Sequence, residues 1–214
     1  MTASAFDTVI ERTDTALIVV TVGAADQRAG CVVGFHTQCS IDPVRYAVWV
    51  SKANHTYRVA LFATHLGLHF PDAGDRALVE LFGGTSGDDI DKFAHCQWTP
   101  GPGGVPLLTG CATRVVLRRT SLWDDGSDHV CIVGEPVEAE VAPGYAPLRL
   151  SGADDVDAGH AAEERPLPAD LEEVDPQADQ TAPAPHDSRH ELEELAAGAG
   201  HAVDLSAPDP DADR

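Results

Sequence analysis

All twelve Phe, Trp and Tyr residues of this 214-residue chain lie at or before Tyr145, so its last 69 residues have no aromatic anchor for a core. Charge divides near the same place. Residues 1–147 carry 17 acidic and 10 basic side chains, a net of −7, whereas residues 148–214 carry 18 and 4, a net of −14. A stretch that acidic, rich in Pro and Ala and poor in Val and Ile, buries too little apolar surface to offset its chain entropy. The expected organisation is one folded domain over 1–147 and a disordered acidic tail over 148–214. Within that tail, 188–197 would form at most a solvated helical turn or two.

A domain of 147 residues buries about 70% of its unfolded surface and needs no staple. Its five cysteines, Cys31, Cys39, Cys96, Cys111 and Cys131, are odd in number and form no C-x-x-C, and most fall in strand-like stretches. They read as small reduced thiols. A cytoplasmic location is expected, because residues 1–13 contain Asp7 and Glu11 and no secretory apolar run. The longest aliphatic run, 16–20, is far shorter than the roughly 20 residues that span a bilayer. Net negative charge without a basic patch argues against nucleic acid.

Strand patterns dominate. Runs 16–22, 29–36, 46–50, 66–70, 111–119 and 129–141 are β-branched and apolar, with turns at 24–27 and 123–128 and a break at Asp42-Pro43. Helical spacing appears over 56–64, with Asn54 or Thr56 as cap, over 72–82 with Asp72 as cap, and over 88–93. Residues 99–104, with two Pro and three Gly, read as a loop. Six strands with two or three short helices predict a small, mainly β barrel rather than a doubly wound sheet.

Several chemistries are absent. There is no G-x-G-x-x-G, no phosphate-loop signature and no nucleophile elbow, and His190-Glu191 is followed by Glu194 where a zinc protease needs His. The pairs His65 with His69 and His36 with Cys39 fall short of a metal ligand set.

Three segments remain. The small residues of 29–43, from Ala29-Gly30-Cys31-Val32-Val33-Gly34 to Cys39-Ser40-Ile41-Asp42-Pro43, allow a flat ligand close to the backbone. Ser51-Lys52-Ala53-Asn54-His55-Thr56, ahead of a helix, offers two hydroxyls and an ammonium to a phosphate. Ser127-Asp128-His129 enters the last long strand. Taken singly, each also reads as ordinary structure: a bulge, a capped helix start, an exposed histidine.

In this order, over about residues 8–141, they resemble the flavin reductase family. The family's A-G-x-x-x-x-x-x-T-x-x-S-x-D-P-P stretch matches Ala29-Gly30, Thr37, Ser40 and Asp42-Pro43-Val44. Its G-V-P-x-L-x-G link is similar to 104–110, and its G-D-H to Ser127-Asp128-His129. This chain departs in having Gly34-Phe35 where the family often has Ser-Ser, Val44 for the second Pro, and Ser127 for the Gly.

The resemblance implies an FMN-binding split β-barrel, usually a homodimer with flavin near the subunit boundary. It implies reduction of FMN or FAD by NADH or NADPH, in some members to supply a monooxygenase. Carried over by position, Cys31, Val32, Val33, Gly34, Cys39 and Ser40 would line the isoalloxazine and ribityl chain. Ser51, Lys52, Asn54 and Thr56 would hold the phosphate, and His129 would sit beside the nicotinamide. Hydride transfer is the cofactors' own chemistry, which accounts for the lack of an acid–base pair. The alternatives are an FMN carrier or sensor with slow turnover, and a split barrel holding heme or a deazaflavin.

Overall fold

The computed structural model describes residues 5–153, 155 and 156. Its centre is a seven-stranded antiparallel sheet in the order β2-β1-β5-β8-β9-β4-β3. The strands are β1 (Ile18–Ala24), β2 (Gln27–Val33), β3 (His36–Ile41), β4 (Val44–Ser51), β5 (His65–His69), β8 (Arg114–Trp123) and β9 (His129–Glu140). A separate hairpin pairs β6 (Trp98–Pro100) with β7 (Pro106–Leu108). The helices are α1 (Ala5–Thr13), α2 (His55–Ala60) and α3 (Arg76–Gly83). The protein is thus mainly β, a split barrel with short helices.

The barrel forms because β1, β2, β4, β5, β8 and β9 each send apolar side chains to one common core. Ile18, Val20, Val22, Val48, Val50, Leu66, Leu68, Leu117, Val130 and Ile132 make one buried core, into which α2 sends Val59 and Ala60. A second layer seals the opposite side of β1 and β2, where Val19 packs with Phe82, Phe93 and Leu108. Between β5 and β7 lies His69, fully buried. Its Nδ1–H donates to Val19 O at 3.2 Å, and its Nε2 accepts the Leu108 amide at 2.9 Å. Burial pushes the His69 pKa down to about 4, so it stays neutral and structural.

Departures from the expected elements have local causes. Asp42-Pro43 does not end the strand region; it is the two-residue turn of a β3–β4 hairpin, which raises the main sheet from six strands to seven. The Pro/Gly-rich stretch 99–104 contributes Thr99 and Pro100 to β6, since an edge strand tolerates a residue without a donor. Within 88–93 only the single turn Lys92–Ala94 is helical. The α1 helix, unread in the sequence, buries none of its residues.

Packing does not stop at residue 147. The Leu17 amide donates to Leu148 O at 2.8 Å, and the Leu150 amide to Thr15 O at 3.0 Å. Asp14 accepts from the amide and hydroxyl of Ser151, and Ala153 is buried with Leu17 and Val79. The first residues assigned to the acidic tail therefore strap the β1 side of the barrel. The disorder expected further on, and the turn at 188–197, lie outside the described residues.

Candidate functional site

Antiparallel pairing carries distant segments to one end of the sheet. Ser51, the last residue of β4, lies opposite His129, the first of β9, and Trp123, the last of β8, lies opposite Cys131. Just before β3, Phe35 joins the same end, its carbonyl accepting the Trp49 amide at 2.9 Å. Side chains alternate across a strand. Since Val48, Val50, Val130 and Ile132 fill the barrel, Trp49, His129 and Cys131 face outward. The Phe35 and His129 rings meet there with centroids 5.3 Å apart at 59°. Phe35 is 59% exposed and Trp123 66% exposed, so this outer face is apolar and open.

His129 is oriented from behind. Its Nδ1–H donates to Asp128 Oδ1 at 2.9 Å, which leaves Nε2 for a ligand. That bond to His129 holds the Asp128 carboxyl below its ordinary pKa. Beside it, the Lys52 amide donates to Asp128 O at 2.9 Å, and Lys52 Nζ sits 2.8 Å from Asp124 Oδ1. Lys52 is only 8% exposed, not the ordinary surface lysine its position before a helix also allowed. Burial pushes the Asp124 carboxyl up, but the Lys52 ammonium and the Gly126 amide outweigh it and hold the group below its usual value. The 124–128 loop thus lays a carboxylate over the one ammonium of this end.

The other expected residues divide by where β2 and α2 point them. Gly34 is open: a Cβ there would meet only Leu17 Cδ2, at 3.8 Å. Cys31 and Val33 point into the core and Val32 packs beneath α3, so anything these three offer a ligand is backbone. Asn54 caps α2, its Oδ1 accepting the Thr56 amide at 2.9 Å. Thr56 is buried against Cys31, and its hydroxyl has no partner of good geometry. The β2 segment and the helix entrance therefore do meet, but through inward-facing side chains. Cys39 and Ser40 are not brought to the lysine. Ser40 pairs with Arg45, and six residues of β4, ~20 Å, separate Arg45 from Ser51.

Sequence reasoning passed over Phe35, Asp124 and Trp123. An aromatic next to Gly34 was visible as a signal, whereas Asp124 reads as one of several acids in a turn. A flavin fits this end: an exposed aromatic beside an open glycine gives a flat apolar surface, and Lys52 gives one positive charge at its margin.

Comparison with known proteins bears on the family and the fold. The family model described as a flavin reductase like domain matches residues 10–152. An FMN reductase (NADH), SmoA, of Agrobacterium fabrum is 31% identical over 140 residues, covering 64% of this chain and 76% of that protein. A ferric-chelate reductase (NAD(P)H) of Archaeoglobus fulgidus is 27% identical over 126 residues, covering 58% of this chain and 75% of its own. Among solved structures, the NADH:FAD oxidoreductase SgcE6 of Streptomyces globisporus superposes with a TM-score of 0.60 at 21% identity, covering 75% of this chain and 94% of that one, and so supports the fold. With the model spanning two thirds of its length and the barrel in place, the chain belongs to the flavin reductase-like domain family.

Proposed function

We propose that this protein is an NAD(P)H:flavin oxidoreductase that transfers hydride from NADH or NADPH to FMN or FAD. The observation that carries the reading is the convergence of Gly34-Phe35, Ser51-Lys52 and Asp128-His129 at one end of the β4–β9 pair. When bound, flavin supplies the two-electron acceptor that no side chain offers. The chain's share is positional. The exposed Phe35 ring gives a stacking surface, worth about 0.5–1.5 kcal/mol beyond area. Lys52 attracts the phosphate, in competition with Asp124. The proton fixed at Nδ1 of His129 presents Nε2 to the nicotinamide amide.

The apolar outer face, with Phe35 and Trp123 exposed, supports a homodimer with the flavin near the subunit boundary. A cytoplasmic location and a monooxygenase that consumes the reduced flavin complete the reading. Among the described residues no helix is long and apolar enough to cross a membrane.

Anaerobic stopped-flow mixing of the FMN-loaded protein with NADH or NADPH is the test. The flavin absorbance band should bleach with at least one donor within seconds. Stable colour with both donors rules out the reductase and leaves a carrier or sensor.

A further inference from the structure

A second concave feature lies apart from the Phe35 end. Between the free edge of β2 and the 87–93 segment there is a groove of about 350 Å³, lined among others by Arg28, Gly30, His55, Asp89, Lys92 and Phe93. From Arg28 to Gly34 along β2 is six residues, ~20 Å, within the reach of an extended dinucleotide whose ring system rests at Phe35. The entrance to α2 bridges the two regions, with Ser51 and Lys52 at one and His55 at the other.

The groove's chemistry is mixed in a specific way. Arg28 holds its guanidinium 4.9 Å above the Trp98 ring, and its nearest acid, Asp91, is 3.9 Å away, beyond hydrogen-bond distance. Its planar fork is thus left for an outside acceptor. Lys92 is 3% exposed, and Nζ donates only to neutral carbonyls, Gly30 O at 3.2 Å and Phe82 O at 2.9 Å. No carboxylate among the described residues is bonded to it, and its Nζ lies over the Phe82 ring, so it places one positive charge beneath the groove to offset part of the acidic rim. Asp88 is committed to His55 and Arg58, whereas the Asp89 side chain has no partner among the described residues.

The β1–β2 register places the Arg28 and Gly30 peptide groups on the edge away from β1, a direction that the Lys92–Gly30 bond confirms. A free polyanion would meet three carboxylates at this rim. A phosphate already carrying a sugar and a base would meet Arg28 with its charge and Asp89 with its hydroxyls, a carboxylate–ribose contact used widely for dinucleotides, while Lys92 lends only its field from beneath Gly30. We propose that this groove binds the adenosine phosphate arm of a dinucleotide, and that the protein therefore prefers FAD to FMN. The inference rests on the flavin reading above for the ring end only; the groove is argued from its own residues.

Calorimetric titration of the apoprotein with AMP, FMN and FAD tests it, beside the variants Arg28→Ala and Asp89→Ala. AMP should bind and should compete with FAD but not with FMN. FAD should bind at least tenfold tighter than FMN, a difference of about 1.4 kcal/mol. Each variant should shrink that ratio toward one while FMN affinity stays within twofold. If instead the ratio is near one throughout, and the variants weaken NADH but not reduced nicotinamide mononucleotide, the arm is that of the nicotinamide dinucleotide and the groove assignment stands. If AMP gives no heat and neither variant alters FAD or NADH, the groove is not a nucleotide site. Failure of FMN alone to bind, with AMP still binding, would strike the flavin reading and leave the groove.

Discussion

Along β4 and β9 successive residues look into two different environments. Val48, Val50, Val130 and Ile132 point inward and are sealed in the barrel core. One position away, Trp49, His129 and Cys131 point outward, toward the side where Phe35 and Trp123 stand largely exposed. Two histidines repeat the contrast: His69 lies under the β6–β7 hairpin with Nδ1 bonded to Val19 O of β1 and Nε2 to the Leu108 amide of β7, whereas His129 has one nitrogen fixed by Asp128 and the other open to a ligand. A strand histidine becomes available for chemistry when its face of the sheet lacks a cover, and the period of two lets one strand serve stability and recognition at once.

The largest effect should separate the faces outright. Ile132→Ala removes a fully buried branched side chain and should cost about 2–5 kcal/mol in denaturant unfolding of the apoprotein. His129→Ala, three positions earlier on the same strand, should cost about 0.5 kcal/mol. Similar losses for the two would mean that the outer end is as sealed as the core.

The histidine contrast predicts a pH dependence. His69 has a folded pKa near 4 against about 6.5 unfolded, so between these values the unfolded chain takes up a proton that the folded one refuses. Stability therefore falls as pH drops through that window, by about 1.4 kcal/mol per unit at most from this group. Burial depresses His36 in the same direction. The carboxylates held low, such as Asp88 and Asp124, act only below about pH 4. Thermal unfolding between pH 4.5 and 7 checks this. His69→Gln should flatten the slope and leave the His36 share; an unchanged slope would show that His69 is protonated in the folded state.

How far the sequence could be read follows from the same geometry. The runs at β1, β4, β5 and β9 were legible because their aliphatic residues are dense and bounded by turns, and Asn54 and Asp72 were legible as caps from their side-chain chemistry. The segments assigned to the candidate site stood out by composition as well. Their directions were not, because Cys31, Val32 and Val33 are all small or apolar, and a strand without polar alternation does not announce its faces. Contacts such as Phe35 with His129 or Lys52 with Asp124 depend on strand register across more than 70 residues, which no local pattern encodes. At α1 the spacing of Phe6, Val9 and Ile10 is helical, but a search for a secretory run looks past it.

A smaller effect bears on the outer face alone. His129→Ala should raise the apparent KM for NAD(P)H about tenfold, the worth of one hydrogen bond to a charged or polarised group, with flavin affinity nearly intact. Loss of flavin affinity instead would place His129 under the flavin rather than beside the nicotinamide.

The smallest effect tests whether Asp124 restrains Lys52. Asp124→Asn keeps the shape of the 124–128 loop but removes the charge 2.8 Å from Nζ. The pair is partly exposed, so screening by water and salt keeps its worth low. FMN should gain a few-fold in affinity while riboflavin, without a phosphate, gains nothing; Lys52→Ala should reverse the difference, weakening FMN more than riboflavin. The gain should shrink as salt is raised, because the competing charges lie within one Debye length of solvent. Equal changes for both flavins would show that Lys52 holds the loop and not the ligand, and the open end of the sheet would then keep its aromatic surface but lose its claim to a phosphate.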